Sequence, residues 1–169
     1  SGYEVSADGV FPRFWAALEA PAKEVERHDF ALTKVDNDRH VMLAVTDIHL
    51  SNQNSDIEQF CTRFIPDVRA VAESFGDTPV YSLNMGDSAW DGSWYTNRYS
   101  LKDFRRTMNI VGYPAQMFCA MGNHDNDGAT IHSDSVDWAA SAPYRRIIGP
   151  RYYSFNIGKV HYVVLDNLI

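Results

Sequence analysis

Three short apolar runs recur along the chain, and each ends on a polar cluster. His40 to Thr46 (HVMLAVT) stops at Asp47-Ile48-His49. Pro79 to Asn84 stops at Gly86-Asp87, and Ala115 to Met121 stops at Gly122-Asn123-His124-Asp125. Apolar runs of this length, bounded by turn residues, predict buried strands. Between the first two, Ile57, Phe60, Cys61, Phe64, Ile65, Val68, Val71, Ala72 and Phe75 recur at helical spacing, so an amphipathic helix is expected over 56–75 with a kink at Pro66. Leu101 to Val111 predicts a second helix. Strand, loop and helix in alternation predict an α/β fold built from βαβ units around a parallel sheet.

The two ends of the chain read differently. Asp137 to Ile148 is expected to be a helix weakened by Pro143, and Tyr152–Asn156 and Val160–Asp166 form a hairpin about Ile157-Gly158-Lys159. Residues 1–39 read as a lead-in segment, the tail of a preceding β domain. It has a turn at Asp8-Gly9, a short helix over Phe14–Arg27 interrupted at Pro21, and a strand over 29–35. Residues 40–169 form the second unit.

Composition changes this picture little. Apolar residues make up 45% and charged residues 22%, which is ordinary for a globular chain. No run approaches eighteen apolar residues, so a soluble chain without a transmembrane segment is expected. The chain begins Ser1-Gly2, the pattern of a processed end, so a removed signal peptide would make it an exported protein. The net charge of −7 argues against a broad nucleic-acid surface but is compatible with a phosphate held through bound cations. Cys61 and Cys119 give neither a disulfide framework nor a zinc-finger spacing and read as buried thiols.

The three polar clusters carry the candidate chemistry. Parallel strands present their carboxyl ends along one edge, where ligands bind, so the clusters should converge. Carboxylate, imidazole and amide oxygen, with no thiolate, suit Zn, Mn, Fe or Mg. Singly, Asp47 reads as a cap, His49 as a surface histidine and Gly86-Asp87 as a turn; at three equivalent strand ends those readings would have to coincide.

The ordered set Asp-x-His, Gly-Asp, Gly-Asn-His-Asp resembles the calcineurin-like metallophosphoesterases over roughly residues 40–167, and Gly-Asn-His-Asp is its most specific element. The resemblance implies an α/β sandwich holding two divalent metal ions (Mn, Fe or Zn). It implies hydrolysis of small phosphate mono- or diesters by a metal-activated hydroxide. Asp47 and His49 would bind the first metal, Asp87 would bridge both, and Asn123 would bind the second. His124 would protonate the leaving oxygen, with Asp125 orienting its ring.

Two departures qualify the resemblance. Family members complete the site with further histidines, including a Gly-His-x-His motif. This chain has six histidines and no His-x-His. His28 and His40 precede the first motif, and His161 lies inside an expected strand. His132 is the one histidine placed to substitute. The second half of the sandwich is therefore expected to be missing, with the remaining histidine ligands coming from downstream sequence or another chain. An inactive fragment that keeps the fold, and a nuclease on the same fold, are the alternatives. Trp90 stands three residues after Asp87, where the purple acid phosphatases carry a tyrosine iron ligand, which argues against that subgroup while the wider family remains. Trp90, Trp94, Tyr95 and Tyr99 are expected to pack against neighbouring structure; stacking a nucleobase or gating the site is the alternative use. Asp125 to Gly128 reads as a turn rather than a calcium loop, and Arg105 and Arg106 as a solvated helix face.

Overall fold

The computed structural model describes residues 2–16, 27–130 and 136–166. The elements in chain order are β1 (Gly2–Val5), β2 (Ala7–Asp8), β3 (Phe11–Pro12), β4 (Leu32–Val35) and β5 (Val41–Val45). A helical stretch follows, made of α1 (Asp56–Gln59), a π-helical turn (Phe60–Phe64) and α2 (Ile65–Glu73). Then come β6 (Val80–Asn84), α3 (Ser93–Thr96), α4 (Leu101–Val111), β7 (Gln116–Cys119) and a 3-10 turn (Asn123–Asp125). The chain continues through α5 (Val136–Ala140), α6 (Ala142–Ile147), β8 (Tyr153–Ile157) and β9 (Val160–Val164).

The mixed α/β class is as expected. Strands β5, β6 and β7 form a parallel sheet in that order. Their register aligns Val45 with Asn84 and Asn84 with Cys119, so the three strands stop on one row. Side chains alternate across the sheet. Val45, Val80, Met117 and Cys119 face a core shared with Phe60, Leu101, Phe104, Met108 and Tyr144 from the helices. Met42, Tyr81, Leu83 and Phe118 face the β8–β9 hairpin through Phe155, Ile157 and Tyr162. The Phe118 and Phe155 rings stack with centroids 3.8 Å apart.

Helix α4 shows why its segment folds as it does. Leu101, Phe104 and Met108 recur at helical spacing and are fully buried, worth about 1.5–3 kcal/mol each. The Asp103 carboxylate accepts the Ser100 N–H at 3.1 Å, and Gly112 ends the helix in the left-handed region at φ 60°.

The 56–75 segment departs from a single helix. Pro66 cannot donate a hydrogen bond, and the turn before it widens so that the Ile65 N–H reaches the Phe60 carbonyl. The 137–148 segment is likewise two helices, separated at Ser141 with Pro143 in the first turn of α6.

Residues 17–26 of the expected 14–27 helix lie outside the described residues. The described part of the lead-in is paired and packed. β1 runs antiparallel to β4, and β2 to β3. Val10 and Phe11 enter the same core as α4, with the Met117 N–H donating to the Val10 carbonyl at 2.9 Å. Arg105 is not a solvated residue: it bonds the Ile147 carbonyl and Asp8, each at 2.8 Å, and covers the Phe11 ring. Arg106 is exposed and pairs with Asp103 at 3.1 Å. Buried Arg151 joins Asp137 of α5 to Asp166 beyond β9. Among the described residues, no helix is long and apolar enough to cross a membrane.

Candidate metal centre

The loops that leave the three strands stay zipped together past the strand ends. The Met85 N–H donates to the Val45 carbonyl at 2.8 Å, and that of Ala120 to the Asn84 carbonyl at 2.7 Å. Farther out, Asp47 N–H donates to the Gly86 carbonyl at 3.2 Å, His49 to Asp87 at 2.9 Å and Leu50 to Ser88 at 3.1 Å. The first two motif loops thus run side by side as an irregular continuation of the sheet.

This continuation bends sharply. Asp47, His49 and Asp87 have φ of 52°, 45° and 55°, in the left-handed region. Non-glycine residues there cost about 1–3 kcal/mol each and gather where a side chain must be aimed rather than packed. Asp and His tolerate the region better than most.

Two glycines bring the second and third motifs together. Gly86 has φ 120°, and a Cβ there would lie 2.8 Å from Gly122 Cα. A Cβ on Gly122 would lie 2.2 Å from Asp87 Oδ1 and 2.3 Å from Asp87 N. Only bare backbone lets Asp87 sit against the third loop.

The side chains converge on one spot. One ligand atom each from His49, Asp87 and His124 lies within 4.8 Å of the others. His49 Nε2 is 3.6 Å from Asp87 Oδ2 and 3.7 Å from Asp47 Oδ1. The His49 and His124 ring centroids are 4.8 Å apart, edge to face. Asp87 Oδ1 accepts the His124 N–H at 2.8 Å, which leaves Oδ2 toward His49. Asn123 is exposed on the same rim. His132 lies outside the described residues.

One expected role is corrected. Asp125 does not orient the His124 ring. Its buried carboxylate points beneath the second motif, where it accepts the N–H groups of Asp87 at 3.0 Å, Ser88 at 2.9 Å and Gly122 at 2.9 Å. Neighbours in a 3-10 turn project in different directions, so adjacency in sequence gave the wrong partner. Burial pushes the Asp125 carboxyl up to about 6, against the pull of the Gly122 and Ser88 groups. Asp125 is a positioning residue for Asp87.

The ring's partner is Asp91, whose Oδ1 lies 2.8 Å from His124 Nδ1. Sequence reading missed it, although an acidic residue four places after Asp87 was a usable signal. The hydrogen bond to Asp91 raises the His124 pKa above its ordinary value, partial burial opposes it, and the charges of Asp91, Asp87 and Asp125 add to the rise. In the metal-free chain His124 is therefore expected to titrate above about 6.5 by NMR, and Asp91→Asn to lower that value. The pair favours folding below the unfolded value, and that contribution is lost as pH rises through the raised folded value. A His124 titration unmoved by Asp91→Asn would show that the contact does not hold in solution.

The remaining candidates are structural. His40 bonds the Asn37 carbonyl and Tyr162 hydroxyl, and His161 lies 2.7 Å from Asn156 Oδ1 within the hairpin. Asp127 accepts the Ala129 N–H and the Tyr95 hydroxyl, as a turn residue would. Trp94 and Tyr99 are buried as expected for packing, whereas Trp90 is 42% exposed and Tyr95 is 64% exposed.

Against known proteins, no family model and no curated protein matches this chain.

Proposed function

We propose that this chain carries a metal-binding half-site for phosphoester hydrolysis of the calcineurin-like kind. The observation that supports it is the convergence of His49, Asp87 and His124 at the level ends of three parallel strands.

The donor spacing suits one ion. Two donors about 2.1 Å from a tetrahedral zinc stand about 3.4 Å apart. The distances of 3.6 and 3.7 Å from His49 Nε2 to Asp87 and Asp47 are close to that. Asp47, His49 and Asp87 would hold the first ion. A second ion would have Asp87 and Asn123, two donors where a stable site needs about four, so it requires donors beyond these. Bound divalent metal supplies Lewis acidity and a more acidic water.

The chain's own groups supply the rest. Asp91, hydrogen-bonded to His124 Nδ1, favours the protonated ring. A protonated ring carries a second N–H, on Nε2, which would be the proton given to the leaving oxygen of an ester. Asn123 offers a neutral amide at the rim, suited to a phosphate oxygen or the second ion. Asp125 fixes the loop that aims Asp87.

The test is hydrolysis of p-nitrophenyl phosphate and bis-p-nitrophenyl phosphate with added Mn²⁺, Zn²⁺ or Fe²⁺, by protein in which the donors missing from the second ion's set are also present. Turnover that needs metal and stops with chelator is expected. Protein that takes up metal yet leaves both esters intact would overturn the reading in favour of a fold that binds metal without catalysis. The short donor set for the second ion is the observation favouring that rival. The net charge of −7 counts against a nuclease.

A further inference from the structure

Beside His49 lies a cleft of about 300 Å³ lined by His49, Ser51, Gln53, Asn54, Asp56 and Trp90. It has the volume of a small-molecule subsite. Its lining combines an indole with imidazole, amide, hydroxyl and carboxylate groups. Large aromatic residues normally bury their area, as Trp94 and Tyr99 do a few residues on. Trp90 does not, and the surface it leaves open adjoins a candidate metal ligand.

Hydrogen bonds and close packing tie the lining to its neighbours. The Ser93 N–H donates to the Trp90 carbonyl at 2.9 Å. A Cβ on Gly92 would lie 3.0 Å from Trp90 Cε2, so the indole rests on bare backbone. The facing loop is latched to the same segment: Gln53 Nε2 donates to Ser93 Oγ at 3.0 Å and to Asn97 Oδ1 at 3.1 Å, and Asn52 Nδ2 to the Asn97 carbonyl at 3.0 Å. Asn54 and Ser55 hold left-handed backbone at φ 46° and 64°. A wall fixed in this way loses little freedom when a ligand settles against it.

Resting on the phosphoesterase reading, we infer that this cleft is the leaving-group subsite, and that it takes the base of a nucleoside monophosphate against Trp90. An indole face stacks a planar ring of any sequence identity. Asp56 in the same lining adds polarity: it accepts the Ser51 hydroxyl at 2.6 Å through Oδ2, which leaves Oδ1 to accept from an exocyclic amine. That favours adenine, guanine or cytosine over uracil. The ester phosphate would then lie over His49, with the base to its side.

Adenosine 5′-monophosphate and ribose 5-phosphate share the 5-phosphate and its leaving oxygen, and differ at C1, where an anomeric hydroxyl replaces the base. Their dissociation constants, measured by calorimetry on the Mn²⁺-supplied chain, test the subsite. The nucleotide is expected to bind about tenfold more tightly. Trp90→Ala should bring the ratio to about one without altering ribose 5-phosphate binding, and Trp90→Phe should keep most of the preference. Equal affinities in the unaltered protein, or a preference that survives Trp90→Ala, would overturn the inference. Mn²⁺ uptake measured in the same samples separates the two readings. A base preference without Mn²⁺ uptake would keep the subsite and sink the phosphoesterase reading; Mn²⁺ uptake with equal affinities would do the reverse.

Discussion

Replacing Asp87 with asparagine is expected to weaken divalent-metal binding by ~100-fold or more and to lower hydrolysis by on the order of 10³-fold. The substitution keeps the shape. The amide oxygen of the replacement could still accept the His124 N–H that Asp87 Oδ1 accepts at 2.8 Å, so the loop should hold. What goes is the charged oxygen 3.6 Å from His49 Nε2. An amide nitrogen there has no lone pair to give and presents protons to the ring. Charge stabilisation by a bound ion is worth several kcal/mol, which sets the size of the rate loss. Metal content by elemental analysis and initial rates, with thermal unfolding as the control, check it. Unchanged metal content would remove Asp87 from the ligand set.

Gly122→Ala is expected to damage the same site by a different route. The residue has φ −103°, which any amino acid adopts, so the damage is purely steric. The added methyl meets Asp87 N at 2.3 Å and Asp87 Oδ1 at 2.2 Å. Neither side can retreat freely, because the Asp125 carboxylate ties the Gly122 and Asp87 N–H groups at 2.9 and 3.0 Å. Overpacking of this kind costs about 1–3 kcal/mol. At about 2–4 °C per kcal/mol for a chain of this size, the midpoint of unfolding should fall by up to roughly 10 °C. Metal binding should weaken with it, since the displaced atoms belong to Asp87. Calorimetric unfolding together with metal titration measures both. A variant with unaltered midpoint and metal affinity would mean that the two loops do not approach so closely.

Much of this arrangement could be read from the chain alone, for identifiable reasons. Strands β5, β6 and β7 announce themselves because each is an apolar run cut off by a glycine or an aspartate. Helix α4 does so because Leu101, Phe104 and Met108 mark one face. Strand β4 falls inside the strand expected over 29–35, but its partner β1 is harder to see: none of its residues is fully buried, so no apolar face marks it. The π-helical turn before Pro66 is invisible to a 3.6-residue period, because the widened turn keeps Phe60 and Ile65 buried all the same. In the site, positions set by strand ends were legible, and those set by side-chain direction were not. Asp47, His49 and Asp87 follow from topology. The exchange of Asp91 for Asp125 as the His124 partner depends on where a turn points its side chains, which spacing does not encode.

The left-handed backbone at Asp47, His49 and Asp87 also limits how this site can drift. A β-branched replacement at any of them would lose the donor and add a conformational penalty on top. Asparagine tolerates the same backbone and keeps a similar shape. The easiest step away from metal binding at the two aspartates is therefore a carboxylate-to-amide exchange that leaves the loops in place. A homologue with asparagine at either aspartate position would preserve the architecture of this rim as a silent copy, recognisable by its glycines after its ligands have gone.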